Sequence, residues 1–138
     1  MSDRAPIEHA TLGRLVYDGR LRWYEGTVRG LPVAVHDASL DDALALAARV
    51  VANLDAVRQA AEDRAVADLL PLKNEAWLDE GEPSVPEAEF RRRLQFESVT
   101  AFADGAELYF ADGDLFWGHT VVVRMAADGR MTDADIGG

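Results

Sequence analysis

Ala111-Asp112-Gly113-Asp114-Leu115-Phe116-Trp117-Gly118-His119-Thr120, running on into Val121-Val122-Val123, is the stretch on which the reading of the fold turns. The valines that follow Thr120 favour a strand, as does Glu107–Phe110 before it, because β-branched and aromatic side chains suit a pleated, half-buried surface. The segment from Asp112 to Gly118 is then a connection longer than a tight turn. Connections of this kind often carry function. This one delivers acid, aromatic and imidazole side chains to the edge of a sheet.

Asp112-Gly113 is also one of four Asp-Gly pairs, with Asp18-Gly19, Asp104-Gly105 and Asp128-Gly129. Asp-Gly between apolar runs is a strong hairpin signal, since a type I′ turn needs positive φ at both central residues. Thr120–Met125 and Met131–Ile136 flank Asp128-Gly129. Phe96–Ala103 and Glu107–Phe110 flank Asp104-Gly105. At the front, Arg14–Tyr17 and Leu21–Glu25 flank Asp18-Gly19, and Leu31–His36 adds a third strand. Pro32 cannot donate to a ladder, so it belongs at a strand start or an edge.

Between the two β blocks the pattern is helical. Ser39 is a candidate N-cap, with Asp41 and Asp42 in the first turn where the helix dipole favours negative charge. Leu44, Ala47, Ala48, Val51, Leu54, Ala61, Ala65 and Leu69 recur at helical spacing, and Pro71 is expected to end the run. Thirty helical residues would span about 45 Å, so a break near Asn53–Asp55 is expected. A short segment over 72–78 carries Trp77, and Ser84 with Pro86 and Glu87 marks another helix start. The fold class is α+β: an antiparallel β-sheet, built as a β-meander, central helices and then two C-terminal hairpins, with helices packed on one face. Residues 1–11 read as a flexible N-terminal tail and 12–138 as a single domain. A chain of 138 residues buries roughly 68% of its unfolded surface, enough for a core without staples.

The net charge of −11 is uneven: +1 over residues 1–36, −9 over 37–90 and −3 over 91–138. Such a field repels nucleic-acid phosphates and anionic membranes and steers cations or basic partners. No apolar run approaches the ~20 residues of a membrane helix, and the first residues carry no signal-peptide core. The expected setting is cytoplasmic. Cysteine is absent, which removes disulfide and thiolate chemistry. Neither a Gly-x-Ser-x-Gly elbow nor a P-loop occurs.

The chain resembles an uncharacterised bacterial family, domain of unknown function 2262. The resemblance rests on Leu12-Gly13, Trp23-Tyr24-Glu25-Gly26, Leu72 with Asn74 and Trp77, Phe90, Leu94 and Ser98-Val99. It continues through Glu107-Leu108-Tyr109-Phe110, then Asp112 to His119, and closes on Ala134-Asp135-Ile136-Gly137-Gly138. The Phe-Trp-Gly-His segment is its most specific part. It implies a small bacterial cytoplasmic domain and carries no activity with it.

Asp112, Asp114 and His119 are candidate metal ligands, with Asp133 and Asp135 on the next strand, because oxygen donors with one imidazole suit a divalent cation. The spacing is not an EF-hand, since Phe116 takes the next ligand position. The alternative is that both aspartates shape the turn by bonding their own backbone. His119 either anchors the loop or serves a binding or general-base role. Adjacent Phe116 and Trp117 point in different directions, one toward the core and one toward a groove. Trp117, His119 and Phe116 are therefore the candidate binding residues. Trp23 and Trp77 read as core. Arg91, Arg92 and Arg93 spread around a helix and pair with the acidic middle of the chain. His9 falls in the tail and His36 ends a strand, both without an evident partner.

These features favour a non-enzymatic binding or accessory module that engages a basic protein partner, needs no cofactor and binds neither nucleic acid nor membrane. The alternative is a metal-binding domain or metal-dependent enzyme built on Asp112–His119, with a divalent cation as its cofactor. Monomer and homodimer both remain open, because terminal strands leave sheet edges.

Overall fold

The computed structural model describes residues 4–137, which form one eight-stranded sheet and three helices. The strands are β1 (Ile7–His9), β2 (Gly13–Asp18), β3 (Trp23–Val28), β4 (Leu31–His36), β5 (Gln95–Ala101), β6 (Gly105–Ala111), β7 (Thr120–Ala126) and β8 (Met131–Gly137). They lie in sequence order across the sheet. Every neighbouring pair is antiparallel except β4–β5, which is parallel. That exception follows from connectivity: antiparallel neighbours are joined by short turns, whereas a parallel pair needs a long crossover. The helices α1 (Leu40–Ala52), α2 (Leu54–Ala76) and α3 (Glu87–Arg93) supply it.

Register explains how the sheet is lined. Tyr24, Val35, Ala101, Ala106 and Met125 stand in one transverse row, and Val33, Val99, Leu108, Val123 and Ala134 in the next. All are buried, in one cluster with Ala43, Leu46, Ala47 and Val50 of α1 and Ala61, Ala65 and Leu69 of α2. Alternate residues form the opposite rows. Glu25, Ala34, Thr100, Glu107, Arg124 and Asp133 make one, and Pro32, Ser98, Tyr109, Val122 and Asp135 make another. Period-two alternation thus separates an apolar face from a polar one.

Several local expectations are corrected. The tail reading of residues 1–11 fails at Ile7–His9, which pairs with β2 through Ile7–Leu15 and His9–Gly13. The His9 imidazole accepts the Thr11 and Leu12 amides. Residues 1–3 of that tail lie outside the described residues. The second meander strand starts at Trp23 rather than Leu21, because Arg22 takes a left-handed φ of 59° and closes the turn to the Asp18 carbonyl. Ser39 sits at the N-terminus of α1 but is itself left-handed and makes no side-chain cap.

The chain does break at Asn53, between α1 and α2. Pro71, however, lies inside α2, which continues to Ala76. The turn beyond it is held from outside: Lys73 Nζ, which also donates to the C-cap carbonyl of Trp77, reaches Glu82, and Asn74 exchanges two hydrogen bonds with the Val85 backbone. Tertiary anchors override the local penalty of an internal proline.

The Asp-Gly pairs mark turns, but not by type I′ geometry, since Asp18, Asp104 and Asp128 are not in the left-handed region. Asp18 and Asp128 instead accept the amide two residues on, at 3.0 Å each from Arg20 and Arg130. These are Asx turns. At the β8 edge, carboxylates cover amides that point away from β7: Asp68 of α2 accepts the Ala134 N–H at 2.9 Å, and Asp135 accepts its neighbour Ile136 N–H at 2.8 Å. Edge strands are commonly blunted in this way against pairing with other chains.

Candidate functional site

The β6–β7 connection repeats the Asx device on a larger scale. The Asp112 side chain is buried, with the residue 4% exposed. One carboxylate oxygen accepts the Asp114 amide at 3.0 Å, and the other accepts Phe116 and Gly118 at 2.9 and 3.0 Å. The Asp112 carbonyl also receives the Leu115 amide. One residue therefore satisfies four backbone donors of its own loop, which a buried connection requires. Leu115 and Phe116 are fully buried as a result.

The start of the loop is also tied to α3. Gly113 has φ 57°, and a Cβ there would lie 2.4 Å from the Arg93 carbonyl oxygen, so only glycine fits. Arg93 in turn donates to the Gly113 carbonyl from Nε at 2.9 Å and Nη2 at 2.7 Å.

The structure separates the expected binding residues. Phe116 is completely buried and meets Trp77 and Phe90 edge-on, so it belongs to the core and is not a surface contact. Trp117, adjacent to it, is 56% exposed and has φ 60°. Bulky residues rarely take that conformation, which costs roughly 1–2 kcal/mol. Its indole packs on Trp77 with ring centroids 4.6 Å apart. His119 stands edge-on to the same Trp77 at 5.5 Å. Its Nδ1 hydrogen-bonds the Phe116 carbonyl, which can only accept, so in the neutral ring the proton sits on Nδ1 and Nε2 keeps its lone pair. Trp77 is itself only half-buried and forms the floor of a Trp117–Trp77–His119 aromatic platform.

Asp112, Asp114 and His119 do not converge. Among the described residues there is no group of three or more histidine or acidic side chains that can hold a metal ion. The Asp112 oxygens face backbone N–H groups instead, which is the turn-shaping alternative. Among the described residues, too, no helix is long and apolar enough to cross a membrane.

Residues the sequence did not single out hold the platform in place. Lys73 is 1% exposed, and besides the Trp77 carbonyl its ammonium meets Glu82 at 3.1 Å. The Asp79 amide and the Lys73 ammonium together hold the Glu82 carboxyl below its usual range. The signal was present: Lys73 continues the i+4 stripe of Ala61, Ala65 and Leu69. Arg91 reaches Asp63 of α2 at 2.8 Å, as expected of the arginine run. Arg92 and Arg93 pair with Glu89 of their own helix.

A second polar cluster carries no such signal in the sequence. The Tyr17 hydroxyl donates to Asp37 at 2.7 Å, and Arg4 lies 3.3 Å from the same carboxylate and over the Tyr17 ring. The Tyr17 bond, helped by Arg22, Arg4 and His36, lowers the Asp37 pKa, and the same bond raises that of Tyr17. On the polar face of the sheet, the Tyr109 hydroxyl donates to Glu107 at 2.6 Å. Burial and that bond push Tyr109 up to about 12.

No curated protein and no solved structure matches the chain. Residues 9–136, nearly the whole chain and the entire platform with it, match the family model described as an uncharacterized protein conserved in bacteria. The chain belongs to that family, DUF2262.

Proposed function

We propose that this chain is a non-enzymatic binding module whose Trp117–Trp77 platform takes a basic side chain of a protein partner. The observation that carries the reading is Trp117 itself: a large aromatic ring, more than half exposed, in a strained backbone conformation fixed by a buried carboxylate. Strain and exposure in one residue are characteristic of functional positions, and tryptophan is the side chain most enriched among binding hot spots.

The charge of the partner follows from the surroundings. Exposed Asp114, Glu75, Asp79 and Glu80 lie on the segments that present the two indoles, and the chain carries −11 overall. A guanidinium or ammonium over an indole face gains about 0.5–2 kcal/mol, and the acidic field raises its local concentration.

The test is a titration with an arginine-rich peptide, read by tryptophan fluorescence at two salt concentrations. The expected result is salt-sensitive quenching that Trp117→Ala abolishes while thermal stability is kept. Equal affinity for Trp117→Ala and wild type would end the proposal.

A further inference from the structure

The polar face of the sheet carries a groove unrelated to the Trp117 platform. Its floor is built from small residues on the parallel pair, Pro32 and Ala34 of β4 with Ser98 and Thr100 of β5. Larger side chains rise on both flanks. Trp23, Glu25 and Thr27 of β3 stand on one; on the other the lining ends at Ser98 and Thr100, and Glu107 and Tyr109 of β6 follow one strand beyond, beside Thr100 and Ser98 in register. The cavity over β3–β5 measures about 350 Å³, which is small-molecule size.

Register fixes the charges across it. Glu25 pairs with Ala34, Ala34 with Thr100, and Thr100 with Glu107. Two carboxylates therefore face each other across two small residues. Three inter-strand steps put their Cα atoms about 14 Å apart. The Trp23 indole N–H donates to Glu25 at 2.9 Å and locks an aromatic wall beside that carboxylate. Beyond Glu107, Arg124 is shared between Glu107 at 3.7 Å and Asp133 at 2.7 Å, and Asp135 stands exposed on β8. The face is acidic at both ends of the groove and hydroxyl-lined between them.

We propose that this groove binds a small organic dication of the diamine class, one ammonium beside Glu25 and Trp23 and the other beside Glu107. Ser98 and Thr100 line the middle of the groove with their hydroxyl-bearing side chains, where a flexible aliphatic chain lies on Ala34 and Pro32. A ligand with a single charge satisfies only one wall.

The experiment uses the full chain carrying Trp77→Phe and Trp117→Ala, so that Trp23 is the only indole and the exposed ring of the platform is absent. The probe is 1,4-diaminobutane, with n-butylamine as the one-charge control. Trp23 fluorescence should change saturably with the diamine, and n-butylamine should bind about tenfold more weakly. Glu25→Gln and Glu107→Gln should each weaken the diamine about three- to fivefold, the scale of an exposed ion pair. Ala34→Leu should block the groove. A linear, unsaturable response, equal affinities for the two amines, or no loss in Glu25→Gln would each overturn the proposal. Because the exposed ring of the platform is missing from this protein, failure here leaves the Trp117 reading untouched, and the reverse holds as well.

Discussion

Replacing Asp112 by alanine tests the central loop most directly. The carboxylate holds three amides at 2.9–3.0 Å, two of them on one oxygen. A hydrogen bond to a charged group contributes about 1.5–3 kcal/mol net, and an orphaned buried donor costs about 1–3 kcal/mol. The three amides share one side chain and one loop, so their contributions do not add. A cost of about 3–5 kcal/mol is expected, large against a typical stability of about 5–15 kcal/mol. Asp112→Asn should cost less, about 1–3 kcal/mol, because its carbonyl can still serve Phe116 and Gly118 while its NH₂ faces the Asp114 amide. Urea unfolding by far-UV circular dichroism gives both values from the midpoint shift at constant slope. Trp117 fluorescence in the native state should change as well, since the same bonds fix its backbone. An alanine variant within about 1 kcal/mol of wild type, or one no worse than asparagine, would refute the idea that this carboxylate organises the loop.

Further outcomes follow from the same geometry. Trp117→Gly should cost less than about 1 kcal/mol, far below the roughly 3–5 kcal/mol of a buried tryptophan, because relief of the left-handed strain offsets a partly exposed contact; calorimetry decides. Gly113→Ala should lose several degrees of melting temperature, since the new methyl meets the Arg93 backbone and not a movable side chain. Lys73→Met should cost about 2–4 kcal/mol, by leaving the Trp77 carbonyl and Glu82 without their cation. The lowered Asp37 pKa means stability that is present above the unfolded carboxylate value and lost as pH falls through the folded one. Tyr17→Phe should flatten that acid limb in pH-dependent unfolding. Tyr109 runs the opposite way: its contribution is complete below about pH 10 and lost as pH rises toward about 12, and Tyr109→Phe should remove it.

The strands were legible because alternation and Asp-Gly punctuation are local signals. Leu31–His36 falls where the pattern placed it, and Thr120–Met125 and Met131–Ile136 fall within one residue at their ends. Ile7–His9 was missed because a three-residue strand has too little alternation to stand out, and its partner β2 is what creates it. Pro71 does not end the helix, because propensity knows nothing of Lys73 and Asn74 reaching across to Glu82 and Val85 of a later loop. The parallel β4–β5 pair depends on where the helical block returns the chain, a long-range matter. At the site, the Asp112-to-His119 stretch is visible as an unusual loop, and of the two roles its residue types allow, turn former and metal ligand, the hydrogen bonds of Asp112 support the first. Which of Phe116 and Trp117 faced inward was not readable, since adjacency fixes only that they diverge. The Trp77 floor and the Glu25–Glu107 pairing needed the register of distant segments.

The crossover at β4–β5 has a consequence for motion. The helices make their main contacts with β4 through β8: α1 on β4, β5 and β6, and α2 on β7 and β8. The first three strands stand outside that layer, joined to the rest chiefly through the β3–β4 ladder and the buried Leu12, Leu15 and Tyr24. Regions with less of the core over them open at lower free energy than the global transition. The molecule therefore has a hierarchy of opening in which β1–β3 can peel away while β5–β8 and the helices stay closed. In native-state hydrogen exchange the amides of Arg14–Tyr17 should exchange well before those of Leu108–Phe110 and Val121–Val123. The groove, whose Trp23 wall belongs to the early-opening part, should come and go with it, while the Trp117 platform stays assembled.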